Sequence, residues 1–275
     1  MSYAAVALSD LSVTEFLTLS RMGFLPRGLV IGSAVWDSGA PAMFAAFSQS
    51  ARDSNAQSVA ESLRSARQHA LMRMWEHGKR LRAEGVVGVR LTLEHHRWHG
   101  GHQVAKIVAL GTAISFDRDH APKEFASSPS LALHSGGPFT SDLSGQDFVA
   151  LLRAGYRPIS LATGNAVCAI DPSIARSYAL SFKNEEMVGY TQAFFDARES
   201  AMDTMTKDLF QSFPHGTPDA PAGVVGMRVE ERTHGGRSGF VEFTAVGTAV
   251  AVMHGEDPRV GKTHPTPTLV VPLDR

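Results

Sequence analysis

The feature that most constrains this chain is that it repeats itself. Leu11–Trp36 (LSVTEFLTLSRMGFLPRGLVIGSAVW) aligns without a gap over Leu143–Cys168 (LSGQDFVALLRAGYRPISLATGNAVC), with identities that include Phe16/Phe148, Gly23/Gly155, Pro26/Pro158 and Gly32/Gly164. ARQHALMRM from Ala66 aligns with ARESAMDTM from Ala197. GVVGVRL (Gly85–Leu91) returns as GVVGMRV (Gly223–Val229), and each is followed by a GTA string, at Gly111 and Gly247. Even Pro129–Leu133 has a counterpart in Pro267–Val271. A repeat of about 135 residues is too long for a solenoid and is the size of a domain. We therefore expect tandem units over residues 1–136 and 141–275, joined near 135–141 in the Gly/Pro/Ser segment SGGPFT.

Each unit reads as α-β-α-β-β-β, an α+β fold. Ser12 with Glu15, and Ser144 with Asp147, are spaced to cap a short helix. Phe16 and Leu19, or Phe148 and Leu152, give it an apolar face, and Gly23 or Gly155 suits the left-handed residue that ends it. A buried strand follows. A long helix is expected over roughly 58–83, with Leu63, Ala66, Ala70 and Met74 on one face, and its counterpart over roughly 186–211. A hairpin and a short terminal strand complete the unit.

If Gly100-Gly101 is a two-residue hairpin turn, Arg90 falls opposite Gly111 and Gly88 opposite Ala113. One face of the hairpin is then apolar, and the other is a column of small residues around one arginine. The alignment carries this to Gly226, Arg228 and Gly247. Mid-strand glycine weakens a strand unless something approaches closely. An arginine beside it can reach a carboxylate or backbone carbonyls. These six residues are the candidate interface, to be covered by the other unit or by another copy of the chain.

The strings A-R-x-x-A-[LM]-x-x-M, G-V-V-G-[VM]-R-[LV] and G-T-A-[VI], present in both halves, resemble the YbjQ-like family, which carries a heavy-metal-binding label. The resemblance covers most of both repeats. It implies a small dodecin-like β-α-β-β unit that assembles into rings, with pentamers typical, and it implies no reaction.

The chain of 275 residues is 43% hydrophobic and 19% charged, with a formal net charge of −1. That balance argues against nucleic acid or an anionic membrane as a bulk electrostatic partner. No apolar run approaches the roughly 18 residues needed to span a bilayer. The first residues read as no signal peptide, so a cytoplasmic location and no membrane insertion are expected. The single cysteine, Cys168, excludes an intrachain disulfide.

Metal ligands are sparse. His95, His96, His99 and His102 surround the Gly-Gly turn, and the predicted register makes His99 and His102 face each other, with His95 further along the same face. Two imidazoles fall short of a closed site. The second unit has only His234 there, so the cluster is outside the repeat. Cys168 is the one soft ligand, and it replaces Trp36 at the end of a buried strand, which fits a space-filling role. GEDPRVGKT (Gly255–Thr263) imitates a phosphate loop, but five residues separate its glycines where four are required. We expect no cofactor beyond at most a weakly bound transition metal. Three functions stay open: a non-enzymatic homo-oligomer that builds rings or shells, a metal-binding protein, or an enzyme with a site at a repeat or subunit interface.

Overall fold

A computed structural model describes residues 8–37, 49–97, 103–169, 184, 186–234, 240–253 and 257–261. Chain order is α1 (Val13–Arg21), β1 (Phe24–Asp37), α2 (Gln49–Arg80), β2 (Gly85–Arg97), β3 (Gln103–Phe116) and β4 (Phe139–Thr140). It continues with α3 (Gly145–Arg153), β5 (Tyr156–Ala169), α4 (Val188–Ser212), β6 (Gly223–His234) and β7 (Phe240–Val252). Two sheets result, with strand orders β1-β3-β2-β4 and β5-β7-β6. All neighbours are antiparallel except β4, which runs parallel to β2. The fold is α+β, built from two similar halves.

Local chemistry explains the elements. Ser12 accepts from the Glu15 amide and Glu15 reaches back to the Ser12 amide, which closes the capping box of α1. In α3 the shorter Asp147 takes the Ser144 hydroxyl instead, while Ser144 still accepts from the Asp147 amide. Both short helices end at a left-handed glycine, Gly23 at φ 85° and Gly155 at φ 84°. Each long helix then lies directly on the first strand of its half. A Cβ on Gly32 would sit 2.0 Å from the Ala70 carbonyl oxygen, and one on Gly164 would sit 2.0 Å from that of Ala201. The helix faces turned to the sheets are those the 3.6-residue period marks: Leu63, Ala66, Ala70 and Met74 in α2, and Ala197, Ala201, Met205 and Leu209 in α4, all buried.

The structure corrects three expectations. Arg90 pairs with Leu110, not Gly111, because the hairpin is already one residue off the expected register where Arg97 pairs with Gln103; a bulge in β2 then shifts the pairing by one more, so that Val86, not Gly88, pairs with Ala113. Gly88 at φ 62° forms the bulge, and Gly226 at φ 64° repeats it between Val225 and Arg228. No strand forms at Pro129–Leu133; the segment is irregular, with Leu131 and Leu133 buried in the main core. The fourth strand comes instead from Phe139–Thr140, where we placed the linker. Leu19 is buried as expected, but Phe16 is exposed. The counterpart segment Pro267–Val271 lies outside the described residues.

Candidate functional site

The chemistry-bearing residues collect where the two halves meet. After the first hairpin, the chain runs along the outer edge of β2. The Phe139 amide donates to the Glu84 carbonyl at 3.0 Å and the Ser141 amide to Val86 at 2.9 Å. In return the Val89 amide donates to Ser141 at 2.9 Å and the Gly88 amide to Leu143 at 3.0 Å. The bulge exposes those last two amides, which is what Gly88 does for this edge. The Phe139 ring rests on Gly85, whose missing Cβ would stand 2.0 Å from it. Phe139 then stacks on Phe148 of α3, so one apolar core passes from α1 and β1 into the second half.

The same segment is tied to the second half by its side chains. Asp142 pairs with Arg228 at 2.9 Å and accepts from Thr248 Oγ1 at 2.5 Å, while its amide donates to Thr248 Oγ1 at 3.0 Å. The first half repeats this device: Asp10 pairs with Arg90, and its amide donates to Thr112 Oγ1 at 3.0 Å. Arg90 and Arg228 therefore each hold a carboxylate, as the sequence suggested, but one from their own half.

Gly111 and Gly247 are also close-approach sites within their own halves. A Cβ there would lie 2.7 Å from Val86 Cγ1 or 2.8 Å from Val224 Cγ1, against the bulged strand. Of the six candidate interface residues, three touch the segment between the halves: Gly88 through its amide, Gly226 with Leu143 Cδ2 at 3.1 Å from its missing Cβ, and Arg228 through Asp142.

A second contact sets α2 against β5. Arg67, which the sequence leaves reading as a solvated helix arginine, is buried; its guanidinium donates to Asn165 Oδ1 at 3.2 Å and Thr244 Oγ1 at 3.3 Å. Burial pushes its pKa down, and the carboxylates of Glu242 and Glu230 oppose that shift. The charge persists at any physiological pH. Asn165 Nδ2 closes the contact by donating to the Ala60 carbonyl at 2.8 Å, and Arg64 pairs with Asp208. Val167 packs on Ala56 and Leu63.

A third contact joins the end of the first half to the second. Asp219 accepts from Arg157 at 2.5 Å, from the His134 amide at 2.9 Å, and meets His134 Nδ1 at 3.0 Å. Burial works to raise the Asp219 carboxyl, but hydrogen bonds from Arg157 and His134 outweigh it and hold it below the usual range. Beyond it, the Arg259–Asp257 pair is fully buried, and Arg259 donates to the Pro129 carbonyl at 2.8 Å. The phosphate-loop imitation thus contains a structural ion pair.

His99 and His102 lie outside the described residues, and His95 is described only through its place in β2, paired with Ala105. The ladder pairs Arg97 with Gln103, one residue away from the predicted register on which the facing histidines rested. Cys168 is half-buried against the cluster of Ala166 and Phe243. Among the described residues no three His, Cys, Asp or Glu side chains gather to hold a metal ion. Among them, too, no helix is long and apolar enough to cross a membrane.

Of the residues missed from sequence, Asp10 and Asp142 were signalled there. Ser-Asp-Leu-Ser occurs at Ser9–Ser12 and again at Ser141–Ser144, so the alignment extends two residues further toward the N-terminus, to the paired aspartates.

Residues 26–117 match the YbjQ-like family model, whose description reads "Putative heavy-metal-binding". Over 268 residues the chain is 33% identical to the encapsulin nanocompartment protein Rv1762c of Mycobacterium tuberculosis, covering 97% of this chain and 91% of the relative. A chain whose whole length follows that relative, and whose first half carries the family's unit, belongs to the family of this encapsulin nanocompartment protein.

Proposed function

We propose that this chain is a non-enzymatic, homo-oligomeric building protein of two YbjQ-like units, working in the cytoplasm as part of a protein-shell system. The observation that carries the reading is the use of the candidate residues. Arg90 and Arg228 each hold an aspartate of their own half, the Gly88 amide holds the segment that joins the halves, and none of these groups is left aimed into a cavity with a base or nucleophile beside it. The likeness to a nanocompartment protein supports the shell connection. The second half reads as a second copy of the unit because its sheet, bulge and Asp–Arg pair repeat those of the first. Five chains, giving ten units, is the assembly the family resemblance favours, with rotational closure placing identical contacts around one axis.

The test is imaging together with native mass. Negative-stain electron microscopy of the purified protein should show rings or closed shells of uniform size. Uniform single chains would count against the reading.

A further inference from the structure

We infer that the joint inside one chain recurs between chains, with the second unit of one copy receiving the first unit of the next. This rests on the homo-oligomer reading and assigns its surfaces. Two of the surfaces covered inside the joint have exposed counterparts among the described residues.

The β2 edge is covered by residues 139–143, and Val89 there is 1% exposed; its counterpart Met227 on β6 is 43% exposed. Nothing stands within 4 Å of a Cβ on Gly223, where Phe139 fills the equivalent place over Gly85. β6 is the edge of its sheet. The strand that would fit it is the other Ser-Asp-Leu segment. Thr140 and Ser141 are buried in the joint, whereas their counterparts Leu8 and Ser9 are exposed. In the equivalent register the neighbour's Ser9 amide donates to Val224, and the Met227 and Gly226 amides donate to the neighbour's Ser9 and Leu11. An added strand of this kind draws affinity from main-chain bonds.

The helical contact gives a second, independent match. Inside the chain, α2 covers the outer face of β5, and Val167 is 8% exposed; its counterpart Val35 on β1 is 60% exposed, with Ile31 and Ser33 exposed beside it. The α4 face corresponding to that of α2 is uncovered. It forms an apolar groove of about 400 Å³ lined by Met187, Tyr190, Phe194, Phe195 and Arg198. Arg198, the counterpart of buried Arg67, lies over the Phe195 ring at 5.1 Å. The occupant is thus the β1 face of a second copy, in the place β5 takes on α2. Such head-to-tail contacts close into a ring when the rotation permits.

The test uses two exposed substitutions on opposite ends. Val35→Glu blocks the giving surface and Phe195→Glu blocks the receiving one. Each variant alone should fall to the single-chain mass of 29.5 kDa with an unchanged circular dichroism spectrum. Mixed in equal amounts, they should form a dimer through the one intact pair of surfaces. A wild-type oligomer that neither variant alters, or variants that dissociate without pairing on mixing, would overturn the head-to-tail contact and leave oligomerisation standing. A monomeric wild type would overturn both. Should either variant misfold, cross-linking decides. In a Cys168→Ser background, Ser9→Cys with Met227→Cys should give a ladder of disulfide-linked chain multimers when refolded under oxidising conditions, whereas Ser141→Cys with Val89→Cys should give intrachain product only. No ladder from the first pair, with intrachain product from the second, would reject the contact.

Discussion

At the residue scale, two side chains carry the joint, and one absent side chain carries the helix-on-strand packing within the first half. Arg67 is buried with the Glu242 and Glu230 carboxylates close enough to favour its charge, so it loses water that these groups and the hydrogen bonds to Asn165 and Thr244 must replace. Arg67→Met should cost about 1.5–3 kcal/mol in urea unfolding, the range for hydrogen bonds to a charged group; a loss below about 0.5 kcal/mol would remove it from the account. Asp219 gives a pH signature. Its folded-state pKa is lowered, so its stabilisation is complete above the usual aspartate range and fades as pH falls through the lower folded value. The Tm gap between wild type and Asp219→Asn should therefore be widest near neutrality and shrink below about pH 4. A gap constant across that range would show that the carboxylate charge does not matter. Gly32 matters by what it lacks. A Cβ would collide with helix backbone, which cannot swing aside, so Gly32→Ala should reach the upper part of the ~1–3 kcal/mol typical of overpacking.

At the scale of elements, the bulge is the device that repeats. Gly88 and Gly226 are left-handed, and a side chain at Gly88 would meet nothing within 4 Å. Substitution there is opposed by backbone conformation, not by the overpacking that a flat small-residue face would imply. Gly88→Ala should cost about 1–2 kcal/mol from the left-handed backbone alone, and thermal melts would measure it. The helices, the long strands and the caps were legible because period, capping residues and glycine stops are local signals; the two-residue strand Phe139–Thr140 was not. The register was not. A bulge shifts the pairing by one residue, and GVVG states only that glycine is tolerated, not that its φ is positive. Arg67 was illegible for another reason: its burial depends on β5, which follows it by about a hundred residues, and no local pattern separates it from exposed Arg198.

At the scale of the whole molecule, the two halves are alike in sequence and unlike in exposure. Among the described residues, Val89 and Val167 are covered at the joint, while their counterparts Met227 and Val35 are exposed. That asymmetry is what a chain cut from a continuing head-to-tail series would display. On metal, calorimetry with zinc, nickel and copper on tag-free protein should find binding no tighter than micromolar and no effect of chelator on folding. Stoichiometric nanomolar binding lost in His99→Ala and His102→Ala would make metal handling the leading function. The central claim, that the chain is a building unit, is met most directly by its native mass in solution. Light scattering at micromolar concentration should give one species several times 29.5 kDa, with five chains favoured. A single species at 29.5 kDa would contradict it.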